Sequence, residues 1–583
     1  MPYLDNSNRR LLENAVLSAR DAAEAAATTA LNALAVSAQA PHQVMTPEQR
    51  KLRVVLRAQM RRLGGFEDLV QACAYEQWHR MLFARFLAEN SLLLHPEYGT
   101  ITLDECVELA REQGIADPWD LAAQYASEML PGIFRPDDPL LQVKLAPEGR
   151  EALERILEGI PSAVFTSDDG LGWVYQYWQA NRKDEVNRAE RKIEGADICA
   201  VTQLFTEPYM VRFLLQNTLG AWWLSLHPDS PLRARMEFHK PEVQHDFSAW
   251  PDEVDGLRVL DPCCGSGHFL VEAYKALLAM YREQNPDASR AALAVRPLAN
   301  LFGLELDPRC TQIAAFALAI AAWKAGAPTS GLPVPNIACC GLPMGATVDQ
   351  WKDLASGDAE LADVMGELHE LFANARDLGS LIDPAAAGMG GLFRMDRARL
   401  MPHLERALSR ERSTADPASA VFGEAARGAL RALDILTGQY HLVITNPPFL
   451  LTSKAGDVLR EFCARTFPEA KKDLATCFVE RCRAFACAGG QYALVNPQNW
   501  LFLTGDRKLR QKMLKEQTWE VVARLGPKGF HTPMWDFNVA LLVFGDRAPT
   551  AEHCFVGIDA SAPKKPGEKA EVLREAAVGG EAA

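Results

Sequence analysis

The chain has 583 residues, 48% of them hydrophobic and 23% charged, a balance that suits a globular protein with more than one core. Its formal net charge of −14 excludes a protein that simply coats nucleic acid. It leaves room for an enzyme acting on DNA, because phosphate contacts need only a local basic surface. The longest apolar stretch, residues 313–323, is about half of the roughly 20 residues a membrane-spanning helix needs. The opening MPYLDNSNRR lacks the charged-then-apolar pattern of a secretory signal. Thirteen cysteines without CxxC spacing read as free thiols of a reduced cytoplasm, with no metal centre and no membrane partner expected.

Residues 1–190 read as a helical N-terminal domain. Residues 11–40 are alanine-rich with almost no helix breaker. Pro41 then interrupts, and Thr46-Pro47-Glu48-Gln49 has the form of a capping box with proline at the first helical position. The next helix sets Arg50, Arg53, Arg57 and Arg61 on one face, opposite Leu52, Val55, Leu56 and Leu63. That stripe is either a solvated face or a contact for the DNA backbone. Tyr75, Trp78, Leu82 and Phe86 recur at helical spacing and read as core.

The texture changes over residues 191–545. Short β-rich runs at 257–260, 301–306, 336–340, 442–445, 492–495 and 539–544 alternate with helical patterns. Strands separated by helices imply crossover units and a mainly parallel sheet covered on both faces. Residues 345–432 break the rhythm and read as a helical, charged insertion. Cys477, Cys482 and Cys487 fall in an expected helix. Residues 546–583, rich in Pro, Lys, Glu and Ala, read as a linker with little fold of its own.

Two motifs carry chemistry. In the first, an apolar strand runs into Asp261, then Pro262-Cys263-Cys264-Gly265-Ser266-Gly267, then a helix over 271–281. Asp261 sits at the strand's carboxyl end, where open α/β sheets bind ligands, and a carboxylate there suits the cationic amino group of a methionine moiety. Gly265 and Gly267 permit a tight turn and a close cofactor approach. The third glycine of the dinucleotide fingerprint and the Lys-Ser/Thr of a P-loop are both missing. The next strand ends in Gly303-Leu304-Glu305-Leu306-Asp307, and Glu305 is the carboxylate expected to hold a ribose diol, with Asp307 available to cap the helix from Pro308. The pair reads as a site for a methyl donor.

The second motif is Asn446-Pro447-Pro448-Phe449 at the end of a β-branched strand. Two prolines hold the backbone stiffly and remove amide donors, so this corner presents acceptors. The Asn446 side-chain oxygen and the Pro447 carbonyl can grip both N–H bonds of an amino group, freeing its lone pair for attack. Phe449 offers a flat face on which a flipped base can stack. No strong base is required, because fixed acceptors stabilise the developing positive charge.

The order of these motifs resembles the gamma class of N6-adenine DNA methyltransferases: Thr202-Gln203-Leu204-Phe205-Thr206-Glu207-Pro208-Tyr209-Met210, then DPCCGSG, then GLELD, then NPPF. The helical front end and residues 203–220 look like the methyltransferases of the BREX (PglX-type) and DISARM phage-defence systems. The resemblance implies an α/β, Rossmann-like S-adenosylmethionine-dependent methyltransferase domain with a mainly parallel sheet, preceded by an α-helical N-terminal domain. It implies that Thr206 lies against the methionine end of the cofactor. The implied substrate is double-stranded DNA, with other defence-system subunits or a separate target-recognition chain as partners. Family members continue into a target-recognition domain, so residues 546–583 are expected to be a linker or the truncated start of one. Residues 337–343 lack the acid or amide often found near the cofactor's adenine.

Other readings are weaker. A fused nuclease would need a carboxylate cluster and Glu-x-Lys, and Pro136-Asp137-Asp138 before Gln142-Val143-Lys144 has the wrong spacing and a glutamine. Asn-Pro-Pro-aromatic also serves methyltransferases acting on protein glutamine or on RNA amino groups. A cofactor-binding scaffold subunit of a defence complex is the third alternative.

Overall fold

The computed structural model describes residues 3–135, 138–189, 191–202, 204–341, 347–353, 355, 357–384, 428–531 and 537–576. Much of the expected insertion at 345–432 lies outside the described residues, as do Gln203, Pro136, Asp137 and residues 532–536.

The front of the chain is helical, as its alanine content predicts. Helix α1 (Asn6–Ala33) starts on Asp5, whose side chain accepts from the Asn8 N–H. Helix α2 (Pro47–Leu63) carries the capping box read in the sequence, and Thr46 and Gln49 bond reciprocally. Helix α3 (Phe66–Glu89) buries Tyr75, Trp78, Leu82 and Phe86. The arginine stripe on α2 has a structural use. Arg53 donates to the carbonyls of Ala35 and Ala38, and Arg57 to those of Val36 and Ala38. These guanidiniums close the chain reversal that follows α1, so this part of the stripe is not a DNA-facing surface.

An eight-stranded sheet forms the second half: β1 (Val259–Asp261), β2 (Leu301–Glu305), β3 (Asn336–Cys339), β4 (Tyr440–Thr445), β5 (Ala486–Pro497), β6 (Thr518–Gly526), β7 (Val539–Gly545) and β8 (Val556–Asp559). The spatial order is β8-β6-β7-β5-β4-β1-β2-β3, and every pairing is parallel except the two made by β7. Strands buried on both faces read as unbroken apolar runs, and all seven residues of β7 are buried. From β1 the chain first builds β2 and β3 to one side, then returns to place β4 on the other. The strand order therefore reverses between β1 and β4. Open α/β sheets bind ligands in the crevice outside such a reversal.

Two expectations need correction, and one strand was missed. Residues 546–576 are not a structureless linker: β8 pairs with β6, and the helix Pro566–Glu575 packs on the helix Pro208–Gln216. The polar composition concealed a buried lysine, Lys569, whose ammonium donates to the carbonyls of Leu525 and Ala560. Cys487 lies in β5, whereas Cys477 and Cys482 lie in the helix Leu474–Phe485. Strand β6 went unread because Glu520 and Arg524 interrupt its apolar pattern. Glu520 is nonetheless buried, accepting from Gln491 and facing His245 and Arg547.

Two helices join the halves: α4 (His268–Gln284), after the glycine loop, and α5 (Pro308–Ala325), after β2. Phe83 of α3 stacks on Phe316 of α5 with ring centroids 4.2 Å apart, so the helical front and the sheet share one core. Among the described residues no helix is long and apolar enough to cross a membrane. Replacing Lys569 by alanine should strand two buried carbonyls and cost about 1–3 kcal/mol, read as a lower midpoint in denaturant unfolding.

Candidate active site

Both motifs leave the carboxyl edge of neighbouring strands. Leu260 of β1 lies opposite Val443 of β4, which sets the two strand ends side by side. The loop after β1 turns through Gly265 (φ +52°) and Gly267 (φ +85°). Its backbone is stitched to β2, since the Cys264 N–H donates to the Leu304 carbonyl at 3.0 Å and the Gly265 N–H to Glu305 Oε2 at 2.8 Å. Gly267 serves packing as well as the turn. A Cβ there would sit 3.0 Å from the Cα of Ala314 on α5.

The other Glu305 oxygen accepts from the N–H groups of Leu306 (2.8 Å) and Asp307 (3.1 Å). The carboxylate is thus fixed by three backbone donors, while burial pushes its pKa up to about 7. Asp307 caps α5 through the Arg309 N–H at 2.9 Å. It also pairs with the Arg309 guanidinium and accepts from the Tyr175 hydroxyl of the helical front. Asp261 lies beneath the loop, fully buried. Its Oδ1 accepts from the Cys263 N–H at 3.1 Å, and the Thr445 hydroxyl lies beside the carboxyl. Burial, reinforced by the nearby Glu305 charge, pushes this carboxyl up to about 7.

Across the crevice, the Asn446 Nδ2 donates to Thr206 Oγ1 at 3.0 Å. The amide's other end, Oδ1, is buried without a donor among the described residues. Thr206 is 6% exposed and sits just before the helix Pro208–Gln216, whose cap residue Glu207 accepts from both the backbone and the ring of His531 at 2.7 Å. Phe449 meets Phe537 at 5.6 Å with the rings inclined by 65°.

One cleft gathers Thr206, Gly265, Glu305, Asn446 and Pro448 on its wall. Asp261 and Gly267 support that wall from behind, and Pro447 and Phe449 are not on it. The sequence did not single out three further contributors. Phe205 and His268 face each other at 4.7 Å and line the cleft. Residues 377–381, from the expected insertion, close it with apolar Leu378 and Leu381 and with the carboxylate of Asp377, which accepts from the Gly195 N–H at 2.8 Å. Lying in a segment read only as an insertion, these residues carried no motif to reveal them.

Residues 299–530 match the family model described as Eco57I restriction-modification methylase, and residues 239–339 match that of the MmeI DNA-methyltransferase domain. The chain is 29% identical over 545 residues to the adenine-specific methyltransferase BrxX of Escherichia coli O9:H4 (strain HS), covering 82% of this chain and 44% of that protein. It is 25% identical over 528 residues to the adenine-specific methyltransferase PglX of Lacticaseibacillus casei (strain Zhang), covering 79% and 42% respectively. The chain therefore spans less than half the length of these two curated relatives. Among solved structures, the Type IIL restriction-modification enzyme MmeI in complex with DNA aligns with a TM-score of 0.47 at 14% identity, over 88% of this chain and 58% of that one.

The two raised carboxyls predict a pH signature. A carboxyl that holds its proton more tightly when folded favours the folded state at low pH and loses that contribution as pH rises from about 4 to about 7. Asp261→Asn should therefore gain stability relative to the parent as pH is raised from 5 to 8, measured by paired urea titrations. A difference independent of pH would contradict the burial argument. Over about four-fifths of its length the chain is thus similar to the BrxX and PglX adenine-specific methyltransferases.

Proposed function

We propose that this chain transfers the methyl group of S-adenosylmethionine to N6 of an adenine flipped out of double-stranded DNA, within a restriction-modification or phage-defence system of the BREX type. The observation that carries this reading is the buried, donor-free Oδ1 of Asn446, held in place by Thr206 beside the cleft.

The cleft's residues suit the methyl donor. Glu305, fixed by three backbone N–H groups, offers its carboxylate to a ribose diol. The buried Asp261 carboxylate supplies negative potential beneath the loop, towards a cationic methionine end. Leu306, Leu378 and Leu381 give an apolar slot for a flat ring, and Asp377 gives an acceptor for that ring's amino group. This fills the place left without an acid by residues 337–343. Bound there, S-adenosylmethionine would supply an electrophilic methyl group on a sulfonium.

The chain's own part is to hold and orient the amine. Asn446 Oδ1 accepts one N–H of the adenine amino group, and the Pro447 carbonyl accepts the other. Both bonds draw the nitrogen towards tetrahedral geometry, so its lone pair points at the methyl carbon. The positive charge that develops on nitrogen is met by the same two oxygens, and the excess proton then leaves to solvent. Phe449 stacks on the base, with Phe537 as a second aromatic wall set edge-on to it. Alignment of the two reacting atoms supplies much of the rate.

The matches support adenine in DNA over RNA or protein glutamine, since both relatives carry the words adenine-specific methyltransferase and one family model is that of a DNA-methyltransferase domain. A transfer assay with labelled methyl donor, offering DNA, RNA and protein in parallel, tests the choice. Label should enter DNA as N6-methyladenine; incorporation confined to RNA or protein would contradict it. Asn446→Ala should abolish transfer while leaving cofactor affinity within a few-fold, whereas Asp261→Ala should weaken cofactor binding itself.

A further inference from the structure

With Arg53 and Arg57 committed to backbone carbonyls, the cations that could meet phosphate lie elsewhere. Among the described residues, Lys454, Lys471, Arg507 and Lys508 are exposed and make no ion pair, and Lys472 has only a 3.8 Å approach to Asp506. They converge in space. Leu451 bridges to Asp473, and Thr452 bonds the carbonyls of Lys471 (2.6 Å) and Lys472 (3.0 Å). The Lys472 ammonium crosses the turn at Gly505, where an added Cβ would lie 1.5 Å from it. Lys192 joins the group by bonding the Ser453 carbonyl.

This lip adjoins the catalytic corner. It starts directly after Phe449, and Leu450 accepts from the N–H of Leu474, itself a cleft residue. Its second half follows β5, the neighbour of β4, and so leaves the same edge of the sheet. Of the acids nearby, Asp473 accepts from the Ala475 N–H, Asp506 is buried and exposed Asp457 pairs with Arg460, while exposed Glu194 lies against Gly456.

Beside these cations stand three exposed apolar side chains, Leu451 (50%), Phe502 (62%) and Leu503 (55%), with the Arg524 guanidinium 5.7 Å from the Phe502 ring. Phe502 and Leu503 are rigidly presented. Their N–H groups both donate to the Asn499 carbonyl, Arg510 clamps the carbonyls of Trp500 and Leu503, and buried Trp500 donates to Asn496 Oδ1 at 2.9 Å. Apolar groups fixed in water beside such cations mark a binding surface. A nucleic-acid duplex matches both parts, because phosphates take the cations and an unstacked base step takes the apolar point.

We propose that the lip formed by residues 451–454, 471–472 and 502–508 docks the DNA duplex. Its lysines and arginines neutralise phosphates flanking the extruded nucleotide, and Phe502 and Leu503 press into the step that the base has left. The proposal rests on the reading of the site as a DNA adenine methyltransferase. A test uses the full chain and a short mixed-sequence duplex, with affinity read by fluorescence anisotropy over a range of salt.

The variant Lys454→Glu/Lys471→Glu/Lys472→Glu should bind at least tenfold more weakly at low salt. Its slope of log affinity against log salt should flatten by roughly 0.9 for each phosphate that is no longer neutralised. Phe502→Ala/Leu503→Ala should weaken binding several-fold with the slope unchanged. Arg50→Glu/Arg61→Glu on α2 should leave both quantities as they are, and all variants should keep cofactor affinity. Wild-type slope and affinity in the triple variant, or an equal drop in the α2 variant, would overturn the proposal. A duplex RNA bound better than the DNA, with the same dependence on the lip, would overturn it as well. These readouts need no turnover, so a chain that binds DNA through the lip but never methylates it contradicts the proposed function alone.

Discussion

A carbonyl oxygen buried without a donor costs about 1–3 kcal/mol, and Asn446 Oδ1 is held in that state by a single hydrogen bond at the other end of its amide. The Asn446–Thr206 contact ties the amide to the turn that carries Thr206, with Nδ2 donating and Oδ1 left without a donor. The remaining architecture serves this contact. Strand β4 carries Asn446 to the sheet edge, and the turn before Pro208–Gln216 brings Thr206 against it. Glu207, bonded twice to His531, keeps that turn from drifting. Thr206 was expected to touch the cofactor, and the structure gives it a second task that no single-chain motif could announce.

The second constraint is the reversal of strand order between β1 and β4. It sets two loops from distant parts of the chain across one crevice, each on a strand buried on both faces. The helical front contributes through Asp307, which receives the Tyr175 hydroxyl while its backbone N–H holds Glu305. The Glu305 carboxylate is therefore coupled to a helix more than a hundred residues upstream. This coupling gives the front end a physical part in holding Glu305.

Legibility in the sequence followed the kind of force involved. Apolar alternation, glycine turns and paired prolines act locally, so the parallel sheet, the glycine loop and the Asn446–Phe449 corner could be read directly. The resemblance to phage-defence methyltransferases rested on those same residues, and the similarity to BrxX and PglX agrees with it. What could not be read depends on partners remote in sequence. Lys569 and Glu520 look like surface residues until the strands that bury them are assembled. Arg53 and Arg57 look like a solvated stripe until the chain reversal after α1 offers its carbonyls. The cleft wall at 377–381 lies in a segment whose composition says nothing about where it packs.

A structure of the chain bound to S-adenosylhomocysteine measures the central geometry most directly. The account predicts that the ligand's ribose meets Glu305 and that its sulfur points across the crevice at Asn446. A methyl carbon built on that sulfur would then lie about 3–3.5 Å from an amine accepted by Oδ1. A ligand seated instead in the separate cavity between Asp168, Leu171 and Lys275, or one with its sulfur turned away from Asn446, would contradict it.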